Sequence, residues 1–202
     1  MGASSPVLDL LKRRIGERGP LTVAAFMRLA LSEPGIGYYA TRDPLGAKGD
    51  FVTAPELGPL FAECVADALA PVLKQIGDEA VFMEIGGGSG AFAEAAIERL
   101  LALRAMPARY AILEPSADLR ERQRERLRAH LAPEIFARVE WLQTPINARW
   151  NGVVFANEVI DALPTSRFAV IDGEIHEEHV ALDANGGFVR TDRPADALLG
   201  AA

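Results

Sequence analysis

The stretch Val81–Gly90, reading VFMEIGGGSG, constrains the fold more than any other part of the chain. An apolar run carrying one carboxylate stops at three glycines. A serine and a fourth glycine then precede the helix formers Ala91-Phe92-Ala93-Glu94-Ala95-Ala96. Strand, tight turn and helix N-terminus follow in the order that a nucleotide-type cofactor site requires. Glycine permits positive φ and close approach of a ligand to the backbone. The first helical turn offers unpaired N–H groups to an anion.

The flanking text predicts alternating helices and strands. Val7, Leu8, Leu10, Leu11 and Ile15 mark a helix over Pro6–Arg18, stopped by Gly19-Pro20. Thr22 is placed to cap a helix over Val23–Leu31. Glu56–Ile76 carries Leu57, Leu60, Phe61, Val65, Leu69 and Val72 on one side, with Pro71 expected to bend or end it. Cys64 in that run reads as a small buried hydrophobe. Beyond the glycine turn come a helix over Ala91–Leu103, a strand at Tyr110–Leu113 and a charged helix over Leu119–Leu131. Strands at Arg138–Leu142 and Gly152–Ala156 follow. Arg120, Arg124 and Arg128, with Glu121 and Glu125 alongside, read as a solvated, salt-bridged helix face. Strands apolar on both faces and alternating with helices indicate an α/β fold with a parallel sheet covered on both sides. From Arg167 the residues alternate around Asp172-Gly173 and Asn185-Gly186-Gly187, the pattern of antiparallel hairpins.

Composition narrows the function classes. With 202 residues, half of them hydrophobic, the chain can bury a sizeable core. It divides by reading order into a helical N-terminal region, 1–78, and a cofactor-binding domain, 79–202, with hairpins from 167. The region 34–55 is rich in glycine, proline and aromatics. It reads as a cofactor-covering lid or as a loop that packs Tyr38, Tyr39 and Phe51 on the core. A net charge of -7 argues against a dedicated nucleic-acid binder. One cysteine excludes a disulfide framework and a cysteine-rich zinc site. No apolar run approaches the roughly 18 residues of a membrane span, and Met1–Gly16 lacks a secretory signal. The expected setting is soluble: cytoplasmic, or the mitochondrial matrix in a eukaryote. His176 and His179 fall on opposite faces of an alternating segment, so no metal is expected there.

Two cofactor classes fit the turn. Gly86–Ala91 satisfies the dinucleotide fingerprint, and Glu114 follows Gly90 by about 24 residues, near the distance expected of a ribose-binding acid. That pattern alone would suit an NAD-dependent oxidoreductase. Glu84 discriminates: a carboxylate two residues before the turn repels a pyrophosphate but attracts a ligand bearing an ammonium and a sulfonium. The pattern Glu84-x-Gly86-x-Gly88-x-Gly90 resembles the first motif of S-adenosylmethionine-dependent methyltransferases. It implies that the glycines receive the methionine end, Glu84 lies near the amino group and Glu114 accepts from the ribose hydroxyls.

Further stretches narrow the resemblance. Gly19-Pro20, Phe26-Met27, Gly37-Tyr38-Tyr39, Gly49-Asp50-Phe51, Thr53-Ala54-Pro55-Glu56 and Phe61-Ala62-Glu63 resemble the MidA-like family. So do Glu114-Pro115-Ser116 with Leu119-Arg120 and Gln123, and Asn157–Pro164. That family includes mitochondrial complex I assembly factors that methylate an arginine of a partner subunit. The resemblance implies a Rossmann-like class I methyltransferase sheet of strand order 3-2-1-4, S-adenosylmethionine as cofactor, a protein substrate, and Thr53 and Pro55 at the cofactor. Glu158 and Asp161, three apart after the fourth strand, would share a face if that segment is helical. There they could grip a guanidinium, with Asn157 orienting substrate or cofactor; these three are the candidate catalytic residues.

In the family the sheet continues past the fourth strand, and the next strand ends in an Asp-Tyr-Gly stretch that this sequence lacks. The chain therefore reads as the cofactor-binding front portion of a longer protein. The exposed edge of GVVFA is expected to be covered by the hairpins or by another chain, a second copy included. A partner-binding assembly module without turnover is the alternative to an enzyme.

Overall fold

The computed structural model describes residues 5–41 and 52–201. Along the chain it forms α1 (Pro6–Arg18), β1 (Leu21–Thr22), α2 (Val23–Ser32) and α3 (Tyr38–Thr41). A 3-10 turn at Ala54–Leu57 and α4 (Leu60–Ile76) come next. They lead to β2 (Val81–Ile85), α5 (Ala91–Ala102), β3 (Arg109–Leu113) and α6 (Ala117–His130). Then follow α7 (Pro133–Phe136), β4 (Val139–Leu142) and β5 (Gly152–Ala156). After a short turn at Ile160–Ala162 come β6 (Phe168–Ile171), β7 (Glu174–Leu182) and β8 (Phe188–Pro194). The 42–51 part of the expected lid, including Gly49, Asp50 and Phe51, lies outside the described residues.

The contacts divide the chain into two compact units that interleave in sequence, Pro44–Val159 and Met1–Asp43 with Ile160–Ala202. A division by reading order at 78/79 differs from this in two ways. α4 belongs with the parallel sheet, and the N-terminal helices belong with the C-terminal hairpins.

The unit Pro44–Val159 carries a four-stranded parallel sheet of order β4-β3-β2-β5, the 3-2-1-4 order expected. Phe82 stands in register with Tyr110, and Glu84 with Ile112, so these four side chains share one face. Phe82 and Tyr110 stack with centroids 4.8 Å apart and planes 6° from parallel. Phe92 of α5 stacks on Phe155 of β5 at 4.1 Å. Ala62, Ala66, Ala70 and Leu73 of α4 complete this core together with Ala93, Ala96, Ile97 and Leu127.

That alanine stripe corrects two expectations about α4. The helix buries its small residues, which let it approach α5 closely. Leu57, Leu60 and Val72 are left exposed, with Phe61, Val65 and Leu69 only half-buried. Cys64 sits on the outer side and is exposed rather than buried. The helix also continues through Pro71 to Ile76. An interior proline costs about 3 kcal/mol, and burial of Ala66, Ala70 and Leu73 around it offsets that loss.

The second unit is an antiparallel sheet in which β7 pairs with β1 and β6, and with β8 along its other edge. The expected Asp172-Gly173 hairpin closes with φ 51° and 84°, the two positive values of a type I′ turn. Thr22 caps α2 through Ala25 N–H, as read from the sequence. Leu10, Leu11 and Ile15 of α1 are buried, and Phe26 meets Phe188 edge-to-face at 5.3 Å. The hairpin strands thus pair with one another and with β1. No described strand pairs the second edge of β5.

Phe82 is fully buried between Tyr110, Phe92 and Phe155. Phe82→Ala should therefore destabilise the protein by about 3–5 kcal/mol, measured by urea unfolding. A loss under about 1 kcal/mol would contradict the core described.

Candidate functional site

β2 ends at Ile85, and the chain turns through Gly86–Gly90 into α5. The turn is pinned at its start, where Gly86 N–H donates to Leu113 O at 3.0 Å, and closed where Gly90 N–H donates to Gly87 O at 2.8 Å. Gly86, Gly88 and Gly90 all have positive φ. Gly86 is required on two counts: φ is 72°, and a Cβ there would lie 2.7 Å from Cγ2 of Val159. The first turn of α5 is less open to an anion than the sequence suggests, because Ser89 Oγ accepts from Ala91 N–H at 3.3 Å.

Glu84 is 2% exposed, at the carboxyl end of a strand whose neighbours are apolar. The Tyr110 hydroxyl donates to its Oε2 at 2.8 Å. Burial pushes the Glu84 carboxyl up to about 8; the Tyr110 hydrogen bond opposes that rise, and the nearby Glu114 charge adds to it. Burial also raises the Tyr110 phenol, reinforced by Glu84.

Glu114, 6% exposed, directly follows β3. Its backbone N–H donates to Leu142 O at 2.9 Å, and its carboxylate accepts from Ser116 N–H at 3.0 Å. Burial raises its pKa, opposed by the Ser116 N–H, a Gln123 side-chain hydrogen bond and the Arg120 charge. Arg120 also donates to the Glu114 and Pro115 carbonyls at 2.8 and 2.7 Å. The arginines of α6 are thus only partly a solvated face. Arg124 pairs with Glu121 but lies over the Trp141 ring, and Arg128 lies over Phe136.

Pro55 belongs to the 3-10 segment that leads into α4 and Thr53 immediately precedes it, where Thr53 O accepts from Glu56 N–H at 2.9 Å. The tie from this segment to the glycine turn is made by Glu56, whose carboxylate accepts from Ser89 Oγ at 2.5 Å. Asn157 and Glu158 follow β5 in the same unit. The helical face expected for Glu158 and Asp161 is not formed. Glu158 has φ 51°, and only Ile160–Ala162 make a single 3-10 turn. Asp161 belongs to the other unit, where burial and then its charge raise the Tyr39 phenol.

Glu84, Gly86, Gly88, Gly90 and Glu114 are therefore gathered at one end of the parallel sheet. Sequence reasoning left Tyr110, Gln123, Arg120 and Glu56 out of the site. Register held a signal for Tyr110: a tyrosine paired with Phe82 shares a face with Glu84 and can reach it two residues further along the strand.

Two buried carboxylates beside a glycine turn favour a cationic ligand with hydroxyls and disfavour a polyphosphate. Fold and site together define an S-adenosylmethionine-dependent methyltransferase domain. Residues 64–200 match the family described as "putative S-adenosyl-L-methionine-dependent methyltransferase", and the chain belongs to that family.

Among solved structures, a protein from Burkholderia thailandensis bound to S-adenosyl-homocysteine superposes with a TM-score of 0.83 at 39% identity. The match covers 96% of this chain and 51% of that one. Among curated relatives, the mitochondrial protein arginine methyltransferase NDUFAF7 homologue of Drosophila melanogaster is 28% identical, over 88% of this chain and 45% of its own length. Human mitochondrial protein arginine methyltransferase NDUFAF7 is 39% identical over 43% of this chain and 20% of its own length. The chain thus spans about half the length of the relatives that match most of it. Among the described residues, no helix is long and apolar enough to cross a membrane.

The raised Glu84 carboxyl has a consequence for stability. Between about 4.5 and about 8 the folded state binds a proton that the unfolded state has released. Its contribution is therefore present below pH 4.5 and lost as pH rises to about 8. Across that window the wild type should lose stability relative to Glu84→Gln by at most about 1.4 kcal/mol per pH unit, read from paired urea titrations. Parallel stability profiles would show that Glu84 titrates normally.

Proposed function

We propose that this chain forms the cofactor-binding part of a methyltransferase that acts on arginine of a partner protein. The observation that carries the proposal is Glu84, buried at a sheet end beside a glycine turn and held at one oxygen by a neutral phenol. A carboxylate so placed is stabilised by an arriving ammonium, and the amino group of S-adenosylmethionine supplies one. A pyrophosphate supplies no such cation and would be repelled by the ionised carboxylate, which disfavours the dinucleotide reading. Glu114, at the far side of the turn, is assigned to the ribose hydroxyls. Gly86 and Gly88 are assigned to close approach of the methionine end, and Thr53 and Pro55 to the wall formed by the 3-10 segment.

When bound, the cofactor supplies an electrophilic methyl group on sulfur. The protein's task is alignment, since displacement at a methyl carbon depends on in-line positioning more than on acid–base chemistry. A guanidinium stays charged at physiological pH, so carboxylates must hold it. Glu158, with Asn157 beside it, is assigned that role because both follow β5 at the cofactor end of the sheet. The names of the curated relatives support arginine as acceptor and a mitochondrial setting for the eukaryotic proteins.

A partner-binding role without turnover is the second reading. It is favoured by the second edge of β5, which no described strand pairs, and by exposed Val154 on the same strand. That edge is assigned to docking with further protein, whether additional strands or a second copy.

Calorimetric titration should show binding of S-adenosylmethionine and none of NAD, with affinity rising with pH toward 8 as Glu84 ionises. Glu114→Ala should weaken binding by about 1–3 kcal/mol; an unchanged affinity would remove Glu114 from the site. Incubation with a labelled methyl donor and a cell extract should place label on protein arginine. Retained protein association with no label would favour the assembly role.

A further inference from the structure

Gln123 is fully buried on α6, directly beneath the glycine turn. A Cβ on Gly87 would lie 2.9 Å from its Nε2 and 3.1 Å from its Cδ, and one on Gly90 would touch its Cα and Cγ at 3.5 Å. A buried primary amide has two N–H donors and one oxygen to satisfy. Trp141 Nε1 donates to Gln123 Oε1 at 3.0 Å. An indole nitrogen can only donate, so this contact fixes which end of the amide is oxygen and turns both N–H groups the other way. One donates to Gly88 O at 2.9 Å, and the Glu114 carboxylate accepts from the same side chain. A single side chain thus joins the loop of the methionine end, the acid of the ribose end and the neighbouring strand β4.

We propose that Gln123 is a positioning residue for the cofactor, setting Glu114 and the Gly88 backbone at a fixed separation before the ligand arrives. A side chain present only to fill the core would not need three directed polar contacts; leucine would fill the space without a desolvated amide. Restricting both ends in advance lowers the ordering cost of binding. The groups acting on Glu114 are Ser116 N–H, the Arg120 charge and the Gln123 amide, all of which favour its ionised form. Glu84, the opposing charge, is coupled to it and held by Tyr110. Removing the amide therefore leaves Glu114 easier to protonate, and acid should abolish binding at a higher pH.

The inference rests on Glu114 holding the ribose, so Glu114→Ala is measured in parallel. The probe is S-adenosyl-homocysteine, titrated calorimetrically between pH 5 and pH 8 against wild type, Gln123→Leu and Trp141→Phe. Gln123→Leu should bind about tenfold or more weakly at neutral pH, the size of one lost charged hydrogen bond, with its acid limb displaced upward. Trp141→Phe keeps the Gln123 side chain but frees its orientation, and should give a smaller loss with the limb moved in the same direction. If Gln123→Leu does not fold, Trp141→Phe alone decides: unchanged affinity and an unmoved acid limb overturn the proposal. A folded Gln123→Leu with wild-type affinity and limb also overturns it, provided that Glu114→Ala weakens binding. If Glu114→Ala binds as wild type, the ribose assignment itself has failed.

Discussion

A carboxyl group at the end of an apolar parallel strand governs the rest of this structure. Glu84 lies in a strand whose other positions are built for burial, and an isolated buried charge is among the costliest groups a protein can hold. The fold lowers that cost by two means. Tyr110, in register with Phe82, donates its hydroxyl to the carboxyl, and burial raises the pKa to about 8, so the group is largely protonated at neutral pH. The stacked pair Phe82 and Tyr110 holds the phenol in place. Among the described residues no cation pairs with this carboxyl, which is the basis for assigning it to an ammonium-bearing ligand.

The other parts of the site are held by the sheet order and by α6. Pairing β3 between β2 and β4 brings Glu114 to the same sheet end as Glu84, close enough for the two charges to interact. Ser116 then serves twice. Its N–H donates to Glu114, and its hydroxyl caps α6 through Leu119 N–H. That cap sets the helix so that Arg120 reaches back to the strand-end carbonyls and Gln123 sits under the glycines. Ser89 and Glu56 add a tie from the segment before α4. The glycine turn is therefore braced by Gln123 of α6 and by Glu56 of the segment before α4.

Most of the parallel sheet was legible in the sequence because its signals are local. The apolar runs Val81–Ile85 and Gly152–Ala156 and the glycines each carry their meaning within a few residues. What escaped depends on packing between elements. The leucines of α4 suggested one buried face, yet the alanines won because a helix approaching α5 closely needs small side chains. Pro71 reads as a helix breaker locally and is carried by that same packing. Three-residue spacing put Glu158 and Asp161 on one helical face, but the chain leaves β5 through a positive φ at Glu158 and is not helical there. Gln123 was visible only as part of a resemblance; its three partners come from β4, the turn after β2 and the end of β3, which no local pattern connects.

The central claim is that Glu84 waits as a buried acid and becomes a carboxylate when a cation binds. Carbon-13 NMR of the Glu84 side-chain carboxyl, assigned with Glu84→Gln, tests it directly. The account predicts a titration midpoint near 8 in the free protein, and the chemical shift of an ionised carboxylate at pH 7 once S-adenosyl-homocysteine is added. A midpoint near the ordinary value of about 4.5, or a shift that does not respond to the ligand, would contradict it.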